Sequence, residues 1–326
     1  MTRGKEGGVI IDPTMERTNS SATNDLLARV QAVTAQARAS GALLPIPTTK
    51  YYVEQAGVRF TVHLVIGKVS KQYRPDNFGP ATDDRPATDP FLPYDKRLFV
   101  ADVSPAHVCL LNKFTVIDHH LLLVTRAFER QESLLTRQDF QALWRCLNEI
   151  DGLAFYNAGK IAGASQPHKH LQLAPFPLDD PSPAGLEAMA PPPDFPLEPL
   201  FERARFRDGI GVIDAFAFVH GLVRLTSRPE EEIDAAARAH RRYLELLQVV
   251  GIKEGMTGDG RTKPYNLLLT REWMLIAPRS REKIAGVSVN SLGFAGSLLA
   301  RNEEQLCTIE EMGPLTILAG VAVPRS

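Results

Sequence analysis

The stretch Phe155-Tyr-Asn-Ala-Gly-Lys-Ile-Ala-Gly-Ala-Ser-Gln-Pro-His-Lys-His-Leu-Gln-Leu-Ala-Pro175 decides how the rest of the chain is interpreted. Side chains on an extended strand alternate between its two faces. This alternation places His168, His170 and Gln172 on one face and the residues between them on the other. Two imidazoles and a carboxamide side by side indicate a site that acts on a polar ligand.

A turn of small residues, Gly163-Ala164-Ser165-Gln166, directly precedes this strand. Such a turn lets backbone N–H groups approach an anion closely. A neutral imidazole can attack phosphorus and can leave again afterwards. A His-x-His pair alone would also suit a surface pair, a metal pair or a packed core, but the turn and Gln172 favour a phosphoryl-transfer site.

Composition limits the classes of protein to which the chain can belong. With 326 residues, 44% apolar and 23% charged, it has the composition of a soluble globular protein of one large or two ordinary domains. The net charge of −1 provides no general field for nucleic acid or an anionic membrane. Three scattered cysteines without a C-x-x-C motif favour a reducing compartment and argue against structural zinc. No apolar run approaches the roughly 18 residues of a spanning helix, and we see no apolar signal core, so we expect a cytoplasmic protein without a membrane span.

The order of elements predicts an α+β fold, with mainly antiparallel sheets and flanking helices. Periodic apolar residues predict helices over 26–39, 139–151 and 230–250, and strands between them. Residues 201 onward repeat the order of the first half without a second His-x-His, which suggests a degenerate internal duplication with one catalytic strand. We therefore expect a flexible leader (1–22), a catalytic half (23–180), a proline-rich connection (181–200) and a C-terminal half (201–326).

The residues around the His-x-His pair resemble the active-site motif of the histidine triad (HIT) superfamily. They are most similar to the branch shared by galactose-1-phosphate uridylyltransferase and the ATP adenylyltransferases, also called diadenosine tetraphosphate phosphorylases. That branch replaces the third histidine with glutamine, as Gln172 does here. The segments 110–114 and 120–125 are closer to the adenylyltransferases. The resemblance covers roughly residues 40–320 and implies a HIT-like fold, which together with the repeated order of elements suggests two degenerate HIT-like halves.

The resemblance implies reversible phosphorolysis of diadenosine tetraphosphate to ATP and ADP. His170 would be the nucleophile that carries AMP, with Gln172 and His168 beside it and the main-chain carbonyl of His168 orienting its ring. Lys71 is preferred over Lys68 as the lysine that contacts substrate. The other implied substrate contacts are Asn112, Lys113, Asn157, Gly163, Ala164, Ser165, Gln166, Asn290, Ser291, Leu292, Ser297 and Arg301.

Two alternatives remain open. A hexose-1-phosphate uridylyltransferase would use cysteine and histidine zinc ligands, but this chain lacks the paired cysteines and has Lys169 where that relative has proline. A non-catalytic protein that binds adenine dinucleotides would keep the motif without turnover. We expect small-molecule substrates, a divalent cation such as Mg²⁺ that accompanies the polyphosphate, and no metal ligated by the protein. The sequence does not specify an oligomeric state.

Three histidines outside the motif are interpreted as structural. His63 alternates with apolar residues on a predicted strand. His119 and His120 are adjacent, which predicts one exposed and one packed ring rather than a metal pair.

Overall fold

The structure, a computed structural model, describes residues 25–67, 89–178, 193–225, 235–252 and 261–325. The helices in these ranges are α1 (Asp25–Ala39), α2 (Arg137–Glu149), α3 (Glu198–Glu202), α4 (Ala235–Val249), α5 (Glu303–Met312) and α6 (Pro314–Val321). The leader predicted over 1–22, together with Lys68 and Lys71, lies outside the described residues. Over the described ranges, every helix is too short or too polar to cross a membrane.

Most of the remaining chain forms β-strands. They are β1 (Thr48–Gln55), β2 (Val58–Val65), β3 (Phe99–Ser104), β4 (His107–Leu111), β5 (Leu121–Thr125), β6 (Gly152–Asn157), β7 (His170–Pro175), β8 (Arg205–Arg207), β9 (Ile210–Val212), β10 (Gly221–Arg224), β11 (Tyr265–Leu269), β12 (Trp273–Pro278), β13 (Lys283–Ile284), β14 (Val287–Ser288) and β15 (Ser297–Ala300). The predicted strands over 58–66, 120–124 and 265–270 are found within one residue of these bounds.

One ten-stranded antiparallel sheet runs through both halves of the chain, in the order β3-β4-β5-β7-β6-β11-β12-β10-β9-β8. From its outer edges inward, the order is β3-β4-β5-β7-β6 in the first half and β8-β9-β10-β12-β11 in the second. A helix follows the third strand of each set, α2 in one and α4 in the other. This repeated order is what an internal duplication would produce. Residues 181–192 of the predicted connection lie outside the described residues, so the division there stays a prediction. The two halves share the sheet through the pairing of β6 with β11.

The two faces of the large sheet are covered differently. Helices α1, α2 and α4 pack on one face, where Leu171 and Leu173 of β7 join their apolar core. The opposite face packs against a second sheet, β1-β2-β15, and against the C-terminal helices. The alternation along β7 therefore directs His170 and Gln172 to the face that the second layer covers only in part.

Candidate active site

A cavity of about 620 Å³ lies between the exposed part of that face, β2, β15 and residues 90–95. His170 and Gln172 of β7 line it, as predicted from the strand alternation. Residues from both halves of the chain form its walls. Of the residues predicted to contact substrate, it is lined by Asn112, Lys113, Asn157, Gly163, Ala164, Ser165, Gln166, Asn290, Leu292, Ser297 and Arg301.

The imidazole of His170 is held in one tautomer. Its Nδ1 atom donates a hydrogen bond of 2.7 Å to the main-chain carbonyl of His168. Because a carbonyl oxygen only accepts, the proton lies on Nδ1, and Nε2 keeps its lone pair. Burial lowers the pKa of His170 to about 4, against a smaller opposite effect of the bond to the His168 carbonyl. At neutral pH the ring is therefore uncharged, which is the form that a nucleophile requires.

The side chain of His168 does not line the cavity, although the strand pattern places it beside His170. Its ring is fully buried, with Nδ1 2.8 Å from Asp89 Oδ2 and Nε2 2.8 Å from the carbonyl of Thr125. The rings of Phe91 and Phe128 pack against it. The structure thus connects His168 to the nucleophile through its main-chain oxygen, while a catalytic role for its ring stays a prediction.

Lys169, between the two histidines, points to the opposite face as predicted. Its Nζ atom lies 2.6 Å from Asp139 Oδ2 and 3.0 Å from Glu129 Oε2. Asp139 also closes the capping box at the start of α2 with Thr136. The ion pair therefore fixes the beginning of β7 to the helix behind it, because a buried ammonium needs a charged partner.

Asn157 has an amide whose orientation is fixed by the second half of the chain. Its Oδ1 atom accepts a hydrogen bond of 2.8 Å from Asn266 Nδ2 and another of 2.8 Å from the backbone N–H of Ser291. With the oxygen engaged, the amino group of Asn157 remains to donate toward the cavity.

A buried guanidinium supports this arrangement. Arg279 Nη1 donates to Asn266 Oδ1 at 2.6 Å, and its other donors reach main-chain carbonyls, including that of Val289. Burial lowers the pKa of Arg279 to about 9. Ser291 is fully buried and does not line the cavity, and its hydroxyl donates to the carbonyl of Tyr156. Its predicted contact with substrate stays a prediction, and the structure shows it holding Asn157.

The turn over 163–166 has the close backbone approach that its small residues predict. Gly163 adopts a φ of +89°, and a Cβ atom there would lie 2.6 Å from the carbonyl oxygen of Val289 and 2.9 Å from Asn290 Cα. Asn290 caps the following 3₁₀ turn through Leu292, so this C-terminal segment lies directly against the glycine. Only glycine fits such a position without a shift of the neighbouring backbone.

Several cavity residues were not predicted as site residues. His120 is buried as expected and His119 is half-buried, but His120 also lines the cavity next to Gln172. The Nδ1 atom of His120 lies 3.1 Å from Asn112 Nδ2, and burial lowers the pKa of His120 to about 4. His63, interpreted as structural, is buried and lines the cavity as well.

Further residues of the cavity wall come from 90–95 and from near the turn. Phe91 and Tyr94 form an aromatic wall, and Lys160 and Glu282 add charges. The available sequence signal for this wall was the presence of two aromatic residues, Phe91 and Tyr94, among the prolines and polar residues of 86–95. Among the described residues, no group of three or more His, Cys, Asp or Glu side chains is arranged to hold a metal ion.

The fold and the site together define an α+β protein whose cavity contains an uncharged imidazole oriented by a main-chain carbonyl, together with amide donors and cations, which suits a phosphorylated ligand. The profile of the Ap4A phosphorylase N-terminal domain matches residues 16–191, and that of the ATP adenylyltransferase C-terminal domain matches residues 214–324. The chain therefore belongs to the Ap4A phosphorylase/ATP adenylyltransferase family.

Individual relatives agree with this assignment. Diadenosine 5',5'''-P1,P4-tetraphosphate phosphorylase 2 of Saccharomyces cerevisiae is 31% identical over 254 residues, which are 70% of this chain and 73% of that protein. Protein APA1 of the same organism is 30% identical over 225 residues, which are 64% of this chain and 65% of that protein.

Solved structures share the fold. Yeast Ap4A phosphorylase Apa2 in complex with AMP matches with a TM-score of 0.68 and 24% identity, covering 93% of this chain and 98% of that one. The same enzyme in complex with Ap4A matches with a TM-score of 0.67 and 23% identity, covering 93% of this chain and 99% of that one. The predicted α+β fold with a large antiparallel sheet and flanking helices is confirmed.

Proposed function

We propose that this protein catalyses the reversible phosphorolysis of diadenosine tetraphosphate (Ap4A) to ATP and ADP. The observation that carries the proposal is the uncharged His170 ring in the cavity, whose Nδ1–H is bound to a carbonyl so that Nε2 retains its lone pair. Family membership supports it, as do a curated relative with that activity in its name and a relative of the same fold solved with Ap4A.

The reaction consists of two displacements at one nitrogen. Nε2 of His170 attacks the α-phosphorus next to one adenosine of Ap4A. A P–N bond forms, and the P–O bond between this phosphorus and the rest of the tetraphosphate breaks, which releases ATP. An oxygen of inorganic phosphate then attacks the same phosphorus, and the P–N bond breaks to give ADP and free His170. Splitting one transfer into two displacements is the covalent strategy that predicts ping-pong kinetics.

The surrounding donors have complementary roles in this proposal. The amino groups of Asn157 and Gln172 and the backbone of 163–166 donate to the oxygens on which negative charge increases. Lys113 and Arg301 offset the charge of the polyphosphate. Lys71 is proposed, like Lys113 and Arg301, to offset the charge of the polyphosphate. Mg²⁺ would arrive with the polyphosphate and complete its neutralisation.

The test is a product analysis with Ap4A in the presence and absence of inorganic phosphate. We expect equimolar ATP and ADP that depend on phosphate, and loss of at least about a thousandfold of this rate in His170→Ala, because the variant lacks the proposed nucleophile. His240→Gln is the matched control, since that half-buried histidine binds the carbonyl of Leu135 outside the cavity lining.

Three results would contradict the proposal. Robust UMP transfer from UDP-glucose to galactose-1-phosphate would identify a uridylyltransferase. Release of ATP and AMP without phosphate would identify a hydrolase. Tight binding of Ap4A with no products under any condition would identify a binding protein.

A further inference from the structure

The side chain of Gln131 lies at the edge of strand β7, at the point where the pairing of β7 with β6 ends and residues 129–131 begin to pair with the chain before β7. Strands β6 and β7 pair from Gly152 opposite Pro175 up to Phe155 opposite Gln172. Beyond that point residues 129–131 take the place of β6, since Lys169 N donates to Glu129 O and Gln131 N donates to Pro167 O, each at 2.8 Å. The nucleophile His170 lies at this junction, where neither partner supplies a strand-like pair of hydrogen bonds.

The carboxamide of Gln131 supplies those hydrogen bonds. Its Oε1 atom accepts from the backbone N–H of His170 at 2.8 Å, and its Nε2 atom donates to the carbonyls of Asn157 at 2.9 Å and His170 at 3.2 Å. Gln131 is fully buried. It thus connects the main chain of His170, the proposed nucleophile, with that of Asn157, a proposed donor to the phosphoryl oxygens.

The segment that carries Gln131 is itself fixed on several sides. Lys169 Nζ binds Glu129 and the carbonyl of Leu134, and Thr262 donates its backbone N–H to Glu132 O at 2.9 Å. The hydroxyl of Tyr156 donates to the Ser133 carbonyl at 3.1 Å. Because the carrier is anchored, the carboxamide has little freedom to move, and it transmits that rigidity to β6 and β7.

We propose that Gln131 is a positioning residue, which sets the location of His170 and the separation of His170 from Asn157. This inference rests on the function proposed above for its consequence in catalysis. Without the carboxamide, the buried N–H and C=O of His170 lose their partners, and β6 and β7 have no fixed spacing at the level of the nucleophile. A displacement of about 1 Å is enough to cost a group transfer up to about a hundredfold in rate.

The test compares Gln131→Met and Gln131→Glu with the wild type. Met keeps the approximate volume but lacks the amide donor and acceptor. Glu keeps an oxygen that accepts from His170 N–H, but its second oxygen faces the carbonyls of Asn157 and His170, which need a donor. We expect kcat to fall by about tenfold to a hundredfold in both, with KM for Ap4A changed by less than about threefold, because Gln131 does not itself line the cavity.

The matched control is Thr270→Val, on the β11–β12 hairpin of the second half. There the buried Thr270 hydroxyl accepts a hydrogen bond of 2.9 Å from the backbone N–H of Trp273. Like the Gln131 variants, Thr270→Val therefore removes a hydrogen bond between a side chain and the backbone of a strand. Thr270 does not line the cavity. Equal loss of kcat in Thr270→Val and in the Gln131 variants, at matched loss of melting temperature, would reduce Gln131 to a structural role and overturn the proposal.

A second measurement is independent of activity. In protein with ¹⁵N-labelled histidine, the ring nitrogens of His170, assigned with His170→Gln, report its Nδ1–H tautomer. We expect this signal to shift or broaden in both Gln131 variants and to stay unchanged in Thr270→Val. An unchanged His170 spectrum in both Gln131 variants would overturn the positioning role, whereas an inactive wild type with the expected spectral change would contradict only the proposed function.

Discussion

At the scale of single residues, the central feature is an imidazole that is oriented by a carbonyl and kept uncharged by burial. The strand alternation placed His168, His170 and Gln172 on one face, and the resemblance to the histidine triad superfamily implied that His170 is the nucleophile. The alternation did not predict that His168 would contribute only its main-chain oxygen to the cavity side. That outcome depends on Asp89 and Thr125, which lie 79 and 43 positions away in the sequence.

The depressed pKa of His170 leads to a prediction about pH. The unprotonated ring is the nucleophile, so the release of ATP from Ap4A in a single turnover without phosphate should vary little from about pH 5 to 8. It should fall as the pH decreases through about 4, where Nε2 becomes protonated. Rapid-quench measurement of ATP across this range gives the profile. A step near the ordinary histidine value of 6.5 would contradict the burial-based explanation.

At the scale of secondary structure elements, the site depends on a tight turn against a segment from the other half. The small residues over 163–166 predicted a close backbone approach, but their neighbour was not predictable from local sequence. The contact of Gly163 with Val289 and Asn290 joins parts of the chain more than 120 residues apart. Likewise, helix α2 was predicted from its apolar stripe, while its ion pair with β7 through Asp139 and Lys169 requires the folded sheet.

Gly163→Ala tests whether that approach matters for the ligand. A Cβ atom would collide with the Val289 carbonyl, so the turn and the Val289–Asn290 backbone, which both line the cavity, must move apart. We expect KM for Ap4A to rise by about tenfold, in addition to a stability loss of about 1–2 kcal/mol from a left-handed alanine.

Gly41→Ala is the control for backbone strain, because its φ is +67° and a Cβ atom added there would have nothing within 4 Å. It should lose stability by a similar amount and keep the wild-type KM. Equal KM values in the two variants, measured from initial rates, would show that the turn does not shape the binding site.

At the scale of the whole molecule, one sheet is built from two similar halves, and the candidate active site lies at β7 in the first half. The sequence predicted the repeated order of elements, and it contains no second His-x-His pair in the second half. Where β7 reads His-Leu-Gln-Leu-Ala-Pro, β12 reads Trp-Met-Leu-Ile-Ala-Pro and packs into the apolar core. The family resemblance implied substrate contacts from residues 290–301 of the second half. It did not predict the roles of Asn266 and Arg279, which hold Asn157 through a buried hydrogen-bond network that the local sequence does not reveal.

The most direct measurement is the location of the transferred AMP group. Protein mixed with Ap4A in the absence of phosphate, then digested under alkaline conditions, should yield one adenylylated peptide, with the group on His170, together with ATP in equal amount. Adding phosphate should remove the group as ADP, and His170→Ala should carry none. Phosphorolysis that proceeds without any adenylyl-protein, or with the group on another residue, would contradict the mechanism.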